Sequence, residues 1–499
     1  MFQVTERRSS LRAAFLALLL AFGVFAQTDA QVRRSQDAKQ LMAAGRFAEA
    51  APIYEELTRA LPSNVGLRLN LALAYHMLGR HTDAVPEFER VLKADAKNGP
   101  ALLSLGAAYL ELNQPAKAIN PLNAYVALDP EHVPARGMLA NALLTLGRSS
   151  EALPHFRKLT VLIPNDPKAW YGLGRTYEAL AADTFRELDK TAQGSAEWLA
   201  LVAESRLENR QDRSAFYFYR EALSKKSDLR GLHAALALIY RRTGHPDWAV
   251  AEEQKEAGLP KPDCAREKAV CAFMTGRFTE AAAADSPLYW RTRAYNELAV
   301  QAFRKLGSLP PSIELHLLKA EIHANRDQKR EAVTELQAAA KLAPVDVRVT
   351  RRLAIAVHDA HDYANAISLI EQLLGAEPRD AELQFLLGDS WLQQSEAEKA
   401  LEPMRTAVRL DPKLLPARAG LGMTLSRLGH AADAIPHLTA ALSIDEDGSL
   451  HYQLARAMQS AGQADKAEPI MAKYKELKER SEREAEKLEA AAVITAPEQ

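Results

Sequence analysis

Cysteine is almost absent from this chain of 499 residues, which has only Cys264 and Cys271. Two thiolates alone do not complete the four-ligand shell of a structural zinc ion, so no metal site is expected from them. On one helix their separation would span about 10 Å, beyond the Cα distance of about 7 Å that a disulfide tolerates. A disulfide therefore requires Cys264 to lie in the loop after the segment GLPKPD. The sequence leaves the disulfide and the free thiols as open alternatives.

Aromatic residues are also scarce, at 7% of the chain, and runs of Val, Ile and Thr are few, whereas Leu and Ala are abundant. This composition favours an all-α fold. The formal net charge is −1 at pH 7, and no long basic block follows the arginines near the N-terminus. The chain therefore lacks the basic face of a nucleic-acid-binding protein.

Recognisable catalytic motifs are missing as well. The sequence contains no HExxH zinc motif, no Gly-rich phosphate loop and no GxSxG nucleophile elbow. Its 13 histidines are spread along the chain rather than clustered. We therefore expect no catalytic residue, no metal site and no cofactor, and function is expected to lie in a binding surface.

Long apolar runs are absent except near the N-terminus. There Arg7, Arg8 and Arg12 precede the apolar residues 13–25, and a small-x-small pattern ends at Ala26. This order is that of a secretory signal peptide, and the run is shorter than the ~20 apolar residues of a spanning helix. We predict a signal peptide at residues 1–26 and export to the periplasm, with no stable membrane insertion after cleavage. An extracellular location and an uncleaved N-terminal anchor remain alternatives.

What the sequence does contain is a period of 34 residues. Three segments that begin at Gly45, Gly79 and Gly147 share a turn residue followed by an Ala five positions later, and most such segments have a Pro near the end. They read GRFAEAAPIYEELTRALPSN, GRHTDAVPEFERVLKADAKN and GRSSEALPHFRKLTVLIPND. Before the turns, a Leu, a small residue and a Tyr recur with the spacing of one helix face, ending at Tyr75, Tyr109, Tyr177 and Tyr240.

These features resemble the tetratricopeptide repeat family, in which hairpins of two helices stack on one another. Small residues that permit close helix approach recur in the first helix, at Ala72, Gly106, Ala140, Gly174, Ala237, Ala320, Ala354, Gly388, Gly422 and Ala455. A second small position recurs in the second helix, at Ala50, Ala84, Ala118, Ala152, Ala249, Ala281, Ala332, Ala366, Ala400, Ala434 and Ala467. A closing Pro recurs at Pro62, Pro130, Pro164, Pro344, Pro378 and Pro412. The resemblance implies an all-α, right-handed superhelix of about 13–14 hairpins, several of them divergent, with a C-terminal capping helix.

Changes in the period divide the chain. Residues 27–166 are predicted to form an N-terminal array of about four regular repeats, and residues 313–474 a C-terminal array. Between them, residues 167–312 lack the turn that should follow Tyr177, which predicts irregular repeats with lengthened helices. Residues 475–499 are predicted to be a charged capping helix and tail.

The resemblance also implies where a partner binds, because the first helices line the concave face in this family. The corresponding N-terminal positions are Leu69, Leu73, His76, Leu103, Leu110, Asn141, Leu144, Tyr171 and Arg175. The C-terminal positions are Arg351, His358, Phe385, Asp389, Tyr452 and Arg456. The mostly apolar N-terminal set favours an amphipathic helix or an extended segment as ligand. In the alternative interpretation, these Leu side chains are buried between turns of a tightly wound superhelix.

The predicted function is a non-enzymatic scaffold that binds a protein partner in its concave groove. Exported bacterial repeat proteins of this kind resemble assembly factors of the cell envelope or of secretion. Two alternatives remain: an accessory enzyme with its active site in residues 167–312, and a self-assembling structural protein that uses the same irregular region for contacts.

Overall fold

The computed structural model describes residues 28–497, and the predicted signal peptide at residues 1–26 lies outside the described residues. The described residues form 26 α-helices and one short 3-10 helix, with no β-strand among them, which confirms the all-α prediction. The chain divides into two compact units, Met1–Thr176 and Tyr177–Gln499.

The first unit contains four regular helical hairpins. Their helices are α1 (Asp29–Ala43), α2 (Phe47–Ala60), α3 (Val65–Met77), α4 (His81–Ala94), α5 (Gly99–Glu111), α6 (Pro115–Leu128), α7 (Val133–Thr145) and α8 (Ser149–Leu162). The next helix, α9 (Pro167–Ala192), contains the division between the two units.

The middle of the chain is irregular. Its further helices are α10 (Ala196–Glu208), α11 (Asp212–Lys225), α12 (Leu232–Arg242), α13 (Pro246–Gly258), α14 (Lys268–Met274), α15 (Phe278–Ala281) and α16 (Leu288–Gly307). α9 has 26 residues and α16 has 20, whereas α14 and α15 have 7 and 4. Two long helices and one shortened hairpin therefore interrupt the period of the repeat.

The C-terminal part returns to regular hairpins. Its helices are α17 (Ile313–Asn325), α18 (Lys329–Leu342), α19 (Val347–Asp359), α20 (Tyr363–Ala376), α21 (Ala381–Gln393), α22 (Ala397–Leu410), α23 (Leu415–Arg427), α24 (Ala431–Ala441), α25 (Ser449–Ser460) and α26 (Ala464–Ala491). The 3-10 helix is Leu442–Ile444. The predicted boundary between residues 474 and 475 falls inside α26, so the capping segment continues the second helix of the last hairpin.

Small residues stand where the helices of each hairpin touch. The alanines at the second small position are at most 3% exposed. A β-carbon at Gly106 would lie 2.5 Å from Leu122 Cγ, and one at Gly422 would lie 2.6 Å from Leu438 Cγ. The helix backbones therefore approach each other closely enough to exclude even one methyl group at these positions.

The turn between the helices needs a left-handed residue. Gly79 and Gly147 adopt φ angles of +73° and +70°, which glycine tolerates without steric cost. Asn113 and Ser395 hold the equivalent positions with φ angles of +54° and +64°. The turn geometry is thus kept even where the sequence has lost the glycine.

The closing Pro also has a recurring partner. A side chain six residues later donates a hydrogen bond to its carbonyl oxygen: Trp170 to Pro164 at 2.8 Å, and Arg418 to Pro412 at 2.6 Å. This bond ties the linker between hairpins to the first turn of the next helix, and it satisfies a carbonyl that Pro leaves outside any helix.

Cys264 and Cys271 form a disulfide with Cα atoms 5.6 Å apart. Cys264 lies in the loop before α14, and Cys271 lies on that helix. A disulfide therefore forms with Cys264 in the loop, which is the arrangement that the spacing of the two cysteines requires.

The segment after α26 returns to the middle of the second unit. Tyr240 Oη donates a hydrogen bond to the backbone oxygen of Thr495 at 2.8 Å, and Arg220 donates to the Thr495 hydroxyl at 3.3 Å. Ile494 packs against the apolar cluster that contains Phe216 and Tyr240. We call residues 492–497 the C-terminal tail.

The tail replaces an acceptor that the regular repeats supply themselves. Tyr75 donates to Glu55 at 2.8 Å and Tyr109 donates to Glu89 at 2.6 Å, each partner lying 20 residues earlier. The residue 20 positions before Tyr240 is Arg220, which has no acceptor atom. The Thr495 carbonyl takes the place of the missing carboxylate.

Close packing at Gly106 predicts opposite effects for two glycine-to-alanine substitutions. Gly106→Ala should destabilise the first unit by ~1–3 kcal/mol, because the new methyl group overlaps Leu122. Gly137→Ala in α7 should stabilise it by up to ~1 kcal/mol, because its methyl group would meet nothing within 4 Å. Urea unfolding of the two variants measures both changes, and equal stability would contradict the close-packing argument.

Loss of the Tyr240 hydroxyl should loosen the C-terminal tail. Tyr240→Phe removes a hydrogen bond of ~1 kcal/mol, so the detached tail should become ~5-fold more populated. Hydrogen exchange at residues 492–497 measures this change. Tyr109→Phe is the matched control, since it removes a similar bond in a regular repeat and should leave exchange in the tail unchanged. An unaltered tail in Tyr240→Phe would show that the bond does not hold it.

Candidate functional site

The predicted N-terminal binding residues lie on α3, α5, α7 and the start of α9, in rows with a spacing of 34 residues. The first row is Leu69, Leu103, Gly137 and Tyr171. The second row is Leu73, Ala107, Asn141 and Arg175. The third row is His76, Leu110 and Leu144. We call these three rows the inner stripe. α3 contacts α5 and α5 contacts α7, so the rows continue from one hairpin to the next.

The inner stripe is partly exposed although it is largely apolar. Asn141 is exposed, and every other residue of the stripe is half-buried. On the same helices, the positions two residues before the stripe are buried: Leu67, Leu71 and Ala74 on α3 are at most 5% exposed. The hairpin core therefore occupies the neighbouring face, and the Leu residues of the stripe keep part of their surface accessible.

Polar residues interrupt the stripe at its N-terminal end. His76 Nδ1 lies 3.2 Å from His81 Nδ1, and its ring meets Phe88 edge-on with the centroids 6.3 Å apart. Burial, followed by the neighbouring His81, lowers the pKa of His76. His76 is therefore neutral near pH 7 and does not bring a charge to the apolar surface.

Two hydrogen bonds between repeats hold the stripe helices in place. The bonds from Tyr75 to Glu55 and from Tyr109 to Glu89 connect a first helix to the second helix of the preceding hairpin. Burial and then the carboxylate acceptor raise the pKa of both Tyr75 and Tyr109 to about 12. Both phenols remain donors over the physiological pH range, which fixes the spacing of the first helices.

The predicted C-terminal positions are mostly engaged within the protein. Arg351 on α19 pairs with Asp380 and lies 2.7 Å from Glu382. His358 Nε2 lies 2.9 Å from Asp389 Oδ2, and the hydrogen bond to Asp389 raises the pKa of His358. These side chains join α19 to α21, so a ligand would have to displace them.

The remaining C-terminal positions are dispersed. Phe385 is half-buried against the cluster that contains Met404. Tyr452 is 36% exposed, and its ring lies 5.2 Å from that of Tyr474, while the Arg456 guanidinium lies 5.8 Å from the Tyr452 ring. The predicted N-terminal residues thus form continuous rows, whereas the predicted C-terminal residues do not form a similar apolar surface.

The irregular middle contains several cavities that the sequence did not predict, and two of them share Glu208. One, of about 480 Å³, is lined by Glu178, Phe185, Leu201, Glu208 and Asn296 among others. The second, of about 360 Å³, is lined by Glu204, Glu208, Tyr219, Tyr289 and Arg293 among others. One sequence feature pointed to this region: the segment around Tyr289 and Arg293 repeats the spacing of Tyr171 and Arg175. That spacing cannot indicate a cavity by itself.

The described residues include no group of three or more His, Cys, Asp or Glu side chains arranged to hold a metal ion. Within residues 28–497, no helix combines the length and apolar character needed to cross a membrane.

Models of known protein families match the repeated segments of this sequence. Models described as tetratricopeptide repeat match residues 37–100, 103–167, 137–229 and 359–414, and another match covers residues 77–127.

Two curated relatives share part of the sequence. The chain is 27% identical over 168 residues to the human protein O-mannosyl-transferase TMTC1, covering 33% of this chain and 19% of the relative. It is 23% identical over 312 residues to the Drosophila melanogaster BBSome complex member BBS4 homolog, covering 60% of this chain and 56% of the relative. The chain therefore spans less than two thirds of either relative.

Solved structures similar to parts of the chain include a tetratricopeptide repeat protein from Parabacteroides merdae, with 15% identity, coverage of 66% of this chain and 100% of that chain, and a TM-score of 0.33. They also include YrrB, described as a TPR protein with an unusual peptide-binding site, with 18% identity, coverage of 36% and 91%, and a TM-score of 0.29. From the family matches and the repeated hairpins, the chain belongs to the tetratricopeptide repeat family, whose members are protein-interaction scaffolds.

Proposed function

We propose that this protein is a non-enzymatic scaffold that holds a helical or extended segment of a partner protein against the inner stripe. The observation that carries the proposal is the continuity of three partly exposed, largely apolar rows over successive first helices. A monomeric protein gains stability by burying such side chains, and a surface that leaves them accessible in register favours an apolar partner.

The chemistry of the stripe favours an amphipathic helix. Leu69, Leu73 and His76 have the spacing i, i+4 and i+7, so they present one face of α3. Leu103 and Leu110 extend that face on α5, and Leu144 extends it on α7. A ligand with apolar residues at similar helical spacing would bury them together, at ~1.5–3 kcal/mol for each fully buried Leu.

We further propose that the protein acts outside the cytoplasm, in assembly of the cell envelope or in secretion. Residues 1–26 have the pattern of a signal peptide, and the disulfide between Cys264 and Cys271 suits an oxidising compartment. Both features support export.

Site-specific photo-crosslinking in the native cell tests the binding surface. A photoreactive residue at Leu103 should capture a discrete protein, whereas the same probe at Glu482, on the exposed part of α26, should not. A second substitution, Leu110→Glu, should lower capture at Leu103 at least ~5-fold, because it removes an apolar contact and places a charge in the interface.

Leu128→Glu is the matched control for this experiment. Leu128 is 45% exposed on α6, a second helix outside the inner stripe, so its replacement should leave capture at Leu103 unchanged. Equal loss of capture in both variants would indicate general destabilisation. Capture that is insensitive to Leu110→Glu would remove the inner stripe as the binding surface.

Export predicts the state of both the N-terminus and the cysteines. In a Gram-negative host, the exported protein should begin at Gln27 and contain the Cys264–Cys271 disulfide, as mass spectrometry of the periplasmic fraction would show. The double substitution Leu18→Arg and Leu19→Arg should retain the protein in the cytoplasm with both thiols reduced, because charges interrupt the apolar core. Export of this variant, or retention of the natural sequence, would contradict the proposal.

A further inference from the structure

The second cavity of the irregular middle has a polar wall built from three helices. Glu204 and Glu208 lie on α10, Tyr219 on α11, and Tyr289 and Arg293 on α16. α10 contacts α16. Gly231, the residue directly before α12, also lines the cavity. These residues belong to the second unit and are separate from the inner stripe.

Both arginines of this cavity are already engaged. Arg242 Nη1 lies 3.0 Å from Asp212 Oδ1 and donates to the backbone oxygen of Leu207 at 3.3 Å. Arg293 Nε donates to Glu204 at 3.2 Å, and Arg293 Nη1 donates to Tyr289 Oη at 3.4 Å. The guanidinium carbon also lies 4.7 Å from the Phe273 ring centroid and 5.3 Å from that of Trp290. Arg293 therefore neutralises Glu204 and is held in place by aromatic rings.

Glu208 remains as a carboxylate that this arrangement does not neutralise. It lines both cavities, and as a whole residue it is exposed at their common edge. Loss of hydration at the carboxylate, followed by repulsion from Glu204, Glu297 and Glu178, raises the pKa of Glu208 to about 7. Arg326 partly offsets this repulsion. Two further cations line the cavities, Arg206 in the first and Arg242 in the second.

Tyr219 provides an independent indication of a ligand. The residue is 4% exposed and lines the second cavity, yet its hydroxyl makes no hydrogen bond to any described residue. Its electrostatic neighbours include Glu204, Glu208, Tyr289 and Arg293, which line the cavity together with Arg242. The Tyr219 hydroxyl keeps access to solvent in the cavity, so it can accept a hydrogen bond from a ligand there.

We propose that this cavity is a binding site for an organic cation, namely an ammonium or guanidinium group that pairs with Glu208 and donates a hydrogen bond to Tyr219. A phenol oxygen can accept from such a group, and a carboxylate is its strongest partner. An anion would meet Glu204 and Glu208 and would find both Arg242 and Arg293 already paired. The volume of about 360 Å³ accommodates one such group with its alkyl chain.

The cation can come from a small amine or from a basic side chain of a bound protein, and two probes distinguish these sources. Isothermal titration of the full mature protein with agmatine supplies the free form. The blocked tripeptide acetyl-Gly-Arg-Gly-amide supplies the side-chain form, and its norleucine analogue is the uncharged control. Binding of the tripeptide, but not of its norleucine analogue, assigns the site to a basic side chain of a bound protein. Binding of agmatine alone assigns it to a free amine.

Two variants test the named contacts. Glu208→Gln should weaken cation binding by ~10-fold or more, because it removes a charged partner, and Tyr219→Phe should weaken it by ~5-fold. Glu208→Gln also relieves repulsion among carboxylates, so it should not lower the melting temperature. Glu253→Gln, at a carboxylate that pairs with Arg241 on the same unit, is the matched control and should leave binding unchanged.

The pH dependence gives a further readout. The cation pairs with ionised Glu208, so it competes with a proton, and binding should weaken as the pH falls from 8 to 6 through the Glu208 pKa of about 7. Glu208→Gln should abolish this dependence. The proposal is overturned if neither cation binds saturably, or if the Gln and Phe variants bind both cations as tightly as the natural protein.

Discussion

The close approach of two helix backbones at small residues is the contact on which the rest of this structure depends. Gly106 against Leu122 and Gly422 against Leu438 leave no room for a β-carbon. At that separation, large side chains from the neighbouring helix reach over the small residue and fill the hairpin core. A single hairpin still exposes one apolar face, and only the next hairpin can cover it, so the repeat is also the unit of stability.

This packing determines what each face of a first helix can do. Leu67, Leu71 and Ala74 of α3 are committed to the core, which leaves the face that carries Leu69 and Leu73 partly exposed. The hydrogen bond from Tyr75 to Glu55 then fixes α3 against the preceding hairpin. The inner stripe is therefore a consequence of the core, because the same period that aligns the buried residues also aligns the accessible ones.

The irregular middle shows what happens when the period is lost. α9 and α16 run on where a hairpin would turn, and residues of both helices line the first cavity. Polar groups then meet in cavities, where Arg293 pairs with Glu204 and Tyr219 makes no hydrogen bond to another residue that the structure describes. Here the C-terminal tail also returns, and Thr495 replaces the carboxylate acceptor that the sequence lacks at Arg220.

The sequence by itself determined the helical hairpins, the small contact positions and the rows of the inner stripe, because a 34-residue period repeats local rules of helix, turn and contact. It also indicated that residues 167–312 depart from those rules. Only the tertiary structure decided which side chains meet across that departure, such as Arg293 with Glu204, and that Cys264 reaches Cys271. It also decided the pairing of His358 with Asp389 and the return of the tail to Tyr240. These contacts join residues that no period relates, so their distances depend on how long and short helices stack, which the spacing of residues along the chain does not specify.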